Sequence, residues 1–139
     1  MNPEYLRFLT ECGKQISVAT NTILFRYGEP AERFYLIRQG HIKVEVPAIA
    51  GPTLELQNLG PGSILGWSWL ISPYRWSFQA RVTEAAQLIE FDGMRVRSKC
   101  EADPRFGYEL LKRFATLMSE RLRFARERMI EEWNPPGFA

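Results

Sequence analysis

Thr22-Ile-Leu-Phe-Arg-Tyr-Gly-Glu-Pro-Ala-Glu-Arg-Phe-Tyr-Leu-Ile-Arg-Gln-Gly-His-Ile-Lys-Val44 alternates short runs of β-branched and aromatic residues with turn residues. Thr22 to Arg26, Arg33 to Arg38 and His41 to Val46 read as strands, with Gly28-Glu-Pro30 and Gln39-Gly40 between them. Gly28 and Gly40 stand where hairpin turns need a positive φ. Phe34 to Ile37 predict a strand with both faces at least partly buried, while Val44 and Val46 share one face at period two.

The same texture extends outward. Ile16 to Ala19 precede the stretch, and Thr53 to Leu59, Trp76 to Thr83 and Gln87 to Phe91 follow it, with turn signals at Asn21, Pro47, Gly51-Pro52 and Gly60-Pro-Gly62. Seven or more short strands predict a closed or rolled antiparallel sheet, a jelly roll or β-roll. Tyr5, Leu6, Phe8 and Leu9 before Gly13 predict a short N-terminal helix on the outside of the barrel. Asp92 caps a short helix to Glu101. Asp103-Pro104 then opens a long helix from Arg105 to about Trp133, which Asn134-Pro-Pro-Gly137 stops. The expected fold is mainly β with flanking helices, one domain over 1–139: N-terminal helix 1–15, β-roll 16–91, C-terminal helices 92–133 and tail 134–139.

Composition fits this. At 139 residues, 45% hydrophobic and 24% charged, the chain is long enough for one soluble domain with its own core. A net charge of +2 is too small to mark a nucleic-acid footprint. Cys12 and Cys100 fit no metal-ligand spacing and suit a reducing compartment. No apolar run reaches the length of a membrane span and no signal-peptide pattern opens the chain, so a cytoplasmic protein without membrane contact is expected.

Gly60 to Val82 carry three glycines, two prolines and three of the four tryptophans. The run Trp67 to Ile71 after Gly66 is long enough for one helical turn with free N–H groups, a ready anion cradle; the other reading is a hydrophobic loop closing one end of the barrel. No nucleophile motif, phosphate-binding loop or acidic pair is present, and the single His41 disfavours a metal-binding barrel enzyme. The chain is therefore expected to be no enzyme and to hold no metal.

Thr22 to Val44, Gly60 to Val82 and the closing helices together resemble the cyclic nucleotide-binding domain family. In that family a Gly-Glu pair meets the ribose 2′-hydroxyl, a short helix turns its N–H groups to the cyclic phosphate, and an arginine pairs with the phosphate. The resemblance implies a site within a cassette at 60–78, on Gly66, Trp67, Ser68, Trp69, Arg75, Trp76 and Ser77, for cAMP, cGMP or another small anionic ligand. Gly66 matches the family glycine, but Trp67 stands where glutamate is expected, and Ser68 replaces that carboxylate only in part. Phe78, Ala80 and Val82 read as inward positions, which places Trp76 in register and Arg75 one step off unless a bulge intervenes. The tryptophans either line a pocket or fill the volume a nucleotide would occupy.

Leu111, Ala115, Met118, Leu122, Ala125 and Met129 form a heptad seam, broadened by Leu110, Phe114, Leu117 and Phe124. In the transcription-regulator branch of the family the equivalent helix is the dimer contact, which implies a homodimer through residues 105–133; the alternative is a helix folded wholly against its own barrel. Arg121, Arg123, Arg126 and Arg128, interleaved with glutamates, read as a solvated, ion-paired face. No helix-turn-helix follows, so no direct DNA binding is expected. Two functions stay open: a regulatory module signalling through its C-terminal helix, or a degenerate domain that serves as a protein-interaction scaffold or binds another small ligand.

Overall fold

The structure is a computed structural model and describes residues 1–46 and 54–132. The predicted strand at Thr53 and the tail from Trp133 fall partly or wholly outside them. Helix α1 (Pro3–Glu11) leads into strands β1 (Gly13–Val18), β2 (Ile23–Phe25), β3 (Arg33–Val46), β4 (Leu54–Leu59), β5 (Ile64–Leu65) and β6 (Gln79–Asp92). Helices α2 (Gly93–Ala102) and α3 (Pro104–Glu132) follow. The architecture is the expected antiparallel roll with three helices, and the sheet does not close on itself.

Its spine is the pair β3 and β6, each 14 residues long and matched antiparallel from Arg33↔Asp92 to Glu45↔Gln79. Strands β1 and β2 lie on the far edge of β6, while β4 and β5 lie on the far edge of β3. Two corrections to the sequence reading follow from this spine. Arg33–Arg38 and His41–Val46 are one strand, and so are the predicted strands from Thr83 back to Gln79 and Gln87–Phe91. Gly40 has the expected positive φ of 89°, but it marks a kink inside β3 where the register with β6 slips, not a hairpin. A Cβ there would lie 2.5 Å from the Ala85 carbonyl oxygen, so the strands approach this closely only at glycine.

The inward residues of this ribbon are wholly apolar: Ile37, Ile42, Val82, Ala80 and Leu88 are all at most 1% exposed. Glu45 and Gln79 are the buried polar pair of the ribbon, and Glu45 Oε1 accepts hydrogen bonds from Gln79 Nε2 at 2.7 Å and Arg81 Nε at 3.1 Å. Helix α3 covers one opening of the roll through Phe106, Leu110 and Phe114, spaced four apart on one stripe. Asp103 starts α3 as read, accepting from the Phe106 N–H at 3.3 Å, and the Tyr5 hydroxyl of α1 donates to the same oxygen at 3.4 Å. The rings of Tyr5 and Phe8 meet Phe106 edge-on, which docks α1 on the root of α3. Asp92 caps α2, accepting from the Arg95 N–H.

The predicted apolar stripe on α3, seam and broadening flank together, divides. Phe114 and Leu110 are buried in the chain's own core, whereas Leu111, Leu122 and Phe124 are exposed, Leu122 by 71%. The side chains of Ala125, Arg128 and Met129 lie outside the described residues.

Candidate functional site

Gly66 is held at φ 100°, in the left-handed region, just after β5. A Cβ there would come within 2.7 Å of the Trp76 ring, so the glycine lets that indole lie flat against the loop. Trp76 is buried and stacks on Phe25, ring centroids 3.6 Å apart and planes 11° off parallel. Trp69 is fully buried: it stacks on Phe34 at 4.7 Å, meets Phe114 edge-on at 5.5 Å, and donates its indole N–H to the Gly66 carbonyl at 3.1 Å. Trp76 and Trp69 are thus core aromatics that fill the roll.

From Trp67 to Tyr74 the loop makes two hydrogen-bonded turns, Leu70 N–H to the Trp67 carbonyl and Tyr74 N–H to the Ile71 carbonyl, each at 2.9 Å, and not an α-helix. Ser68 is buried in the first turn, and Ser77 is exposed before β6 begins. Arg75 is exposed, bridges antiparallel to Pro30, and donates Nη1 to the Gly28 carbonyl at 2.9 Å. Ala80 and Val82 are fully buried as expected of inward positions, but Phe78 is only half-buried and Gln79 beside it is buried too; Arg75 lies before β6 and is exposed. From α2, Arg97 donates to the Trp69 carbonyl at 2.9 Å and lies 3.8 Å over the Tyr74 ring. Tyr74 itself has φ 58°, a strained value for a non-glycine residue, and Arg97 helps hold it there.

Two of the seven sequence-predicted residues, Trp76 and Trp67, border cavities, and they border different ones. Trp76 borders a recess of about 360 Å³ with Glu29, Glu32 and Arg33, where two carboxylates work against an anion. Trp67 alone of the three tryptophans is half-buried, and it lines a second cavity of about 370 Å³ between the roll and α3. Among the described residues the walls there are Val44, Leu56, Phe78, Met118 and Leu122, with two polar groups, Gln57 and Arg121.

Arg121 departs from the sequence reading: it is turned inward and is not part of a solvated, ion-paired face. Its guanidinium lies 4.9 Å over the Trp67 ring and donates Nη2 to the Ile64 carbonyl of β5. No carboxylate pairs with it among the described residues. Burial pushes its pKa down to about 10, only partly opposed by Glu120, so it remains a cation at neutral pH. Gln57 Oε1 is buried with no hydrogen-bond partner. Neither residue carried a motif. The available signal was position: Arg121 sits between Met118 and Leu122, on the flank of the seam, where a long side chain can fold back over the core.

Among the described residues no group of three or more His, Cys, Asp or Glu side chains is arranged to hold a metal. No helix among them is long and apolar enough to cross a membrane.

The family model described as the cyclic nucleotide-binding domain matches residues 15–103. No curated protein matches the chain. Among solved structures, the chain is similar to a cyclic nucleotide-binding domain from Methylobacillus flagellatus KT, with TM-score 0.82 and 18% identity over 99% of this chain and 77% of that one. It is also similar to the c-di-GMP responsive global regulator CLP of Xanthomonas campestris, with TM-score 0.78 and 18% identity over 96% of this chain and 66% of the regulator. The Thermus thermophilus catabolite activator protein matches with TM-score 0.71 and 21% identity, over 93% of this chain and 59% of that protein. These likenesses show the fold.

Proposed function

Because the chain belongs to the cyclic nucleotide-binding domain family, a regulatory ligand-binding module, we propose that it senses a small anionic ligand held between the roll and α3 and passes occupancy on through that helix. One observation carries this reading: the cavity beside Trp67 has walls from β3, β4 and the Gly66 loop on one side and from α3 on the other. A ligand there touches both bodies, so it stabilises one helix position over another by its contact difference between them. The exposed Leu111, Leu122 and Phe124 on α3 support a homodimer through that helix as the reporting contact. The free thiols of Cys12 and Cys100 fit a reducing compartment such as the cytoplasm.

A second reading, an interaction scaffold that has lost its nucleotide, draws on Trp69 and Trp76, whose indoles occupy the interior. Amide hydrogen exchange along α3 separates the two. In the sensor, millimolar cAMP, cGMP or small organic acids change exchange between residues 114 and 124, with a change in tryptophan emission. In the scaffold no such ligand moves either signal. Without a carboxylate at Trp67, cAMP and cGMP are expected to bind only weakly.

A further inference from the structure

Taking the module to be a ligand sensor, as proposed above, the geometry points to a compact, largely apolar organic acid as its ligand, anchored by Arg121 from α3 rather than by an arginine of the Gly66 loop.

The cavity's chemistry is lopsided. Among the described residues, five apolar side chains and the Trp67 ring form its walls, and its lining contains one cation, one amide and no carboxylate. A guanidinium has five N–H donors, and the bond to Ile64 uses one of them. The Trp67 ring lies 4.9 Å from the guanidinium carbon, and the N–H donors not used on Ile64 can meet a planar anion, which arginine takes through two bonds. Half-buried beside apolar walls, that pairing is screened less than a surface ion pair.

Gln57 adds the second polar contact. Its buried Oε1 lacks a donor, so a hydroxyl or N–H on the ligand's body satisfies it. At about 370 Å³ the cavity is at the small end for ligand pockets. A cyclic nucleotide would bring a ribose and a purine with several polar edges against Leu56, Phe78 and Met118, where only one amide answers them. An aryl or short aliphatic monocarboxylate has one anionic end and an apolar body, which matches the lining.

The test uses 2-naphthoate, benzoate and octanoate, each titrated by calorimetry against its neutral primary amide. At least one acid binds the wild-type protein and quenches tryptophan emission, and its amide binds about tenfold more weakly, because a charge-assisted bond is lost. Arg121→Met removes the cation and keeps the stem; it erases the acid-over-amide preference while circular dichroism stays unchanged. 6-Hydroxy-2-naphthoate binds more tightly than 2-naphthoate, and Gln57→Leu abolishes that gain. The acid-over-amide comparison needs no variant, so it stands even if Arg121→Met fails to fold.

No binding of any of the acids at millimolar concentration, or equal binding of acids and amides, overturns the assignment. So does loss of acid binding in Arg75→Ala with none in Arg121→Met. Acid binding that leaves α3 exchange unmoved defeats the sensor reading and keeps the ligand class. Tight cAMP binding that does move α3 keeps the sensor reading and defeats the ligand class.

Discussion

Trp76 occupies the space that a side chain on Gly66 would need, so the two positions are coupled. Gly66→Ala forces a Cβ against the indole at 2.7 Å and a left-handed φ on a non-glycine residue. The expected cost is about 1–3 kcal/mol, read as a lower urea midpoint at unchanged slope. Trp69→Ala empties the centre of the Phe34 and Phe114 cluster and is expected to cost about 3–5 kcal/mol in the same assay. Burial pushes the Cys100 thiol up to about 11, from an ordinary value of 9.0, which leaves roughly a hundredfold less thiolate near pH 8. Iodoacetamide should therefore label Cys100 far more slowly than a free cysteine peptide, and labelling at the peptide's rate would show that the site is open. At this scale the sequence was partly legible. Trp67 in a carboxylate's place could be read from a single position. The burial of Trp69 and Trp76 could not, because lining and filling differ only in what faces the ring.

Turn residues and period placed the elements well, and the Asp92 and Asp103 caps are where their side chains predict. What misled was Gly40, since a glycine between two β runs signals a hairpin or a bulge equally, and only pairing with β6 distinguishes them. The cap of α3 has a pH signature. Although partial burial works upward, hydrogen bonds from the Phe106 N–H and the Tyr5 hydroxyl hold the Asp103 carboxyl below its usual 3.8. A carboxyl lowered on folding stabilises the fold fully above its unfolded pKa and loses that contribution as pH falls through the lowered folded value. Stability measured by urea should thus drop below about pH 4 in the wild type and drop less in Asp103→Asn, which keeps an acceptor without the charge. Arg97 links two elements, since it holds both the Trp69 carbonyl and the Tyr74 ring from α2. Arg97→Ala should raise amide exchange in residues 69–76 and leave β3 and β6 unchanged.

Across the whole molecule, the roll and its closing helices were legible because their residues recur at fixed periods. The cavity was not, because it is assembled from β3, β4, a loop and α3, which meet only when the chain folds. The homodimer belongs to this scale too. Leu122→Glu places a charge on the exposed seam and should shift sedimentation from dimer to monomer, with the circular dichroism spectrum unchanged; a wild type already monomeric at high micromolar concentration sinks the dimer.

Helix α3 is gripped at Phe106, Leu110 and Phe114 and runs on to Glu132, with Arg121 its last described hold on the roll. At 1.5 Å per residue, the 18 residues from Phe114 to Glu132 make an arm of about 27 Å. Once Arg121 lets go of the Ile64 carbonyl, it is a cantilever clamped at one end: a pivot of about 5° at its root carries the tip by roughly 2 Å, about 40% of a helical pitch. A displacement too small to repack the core at Phe114 is thus large enough to break or make side-chain contacts at the far end.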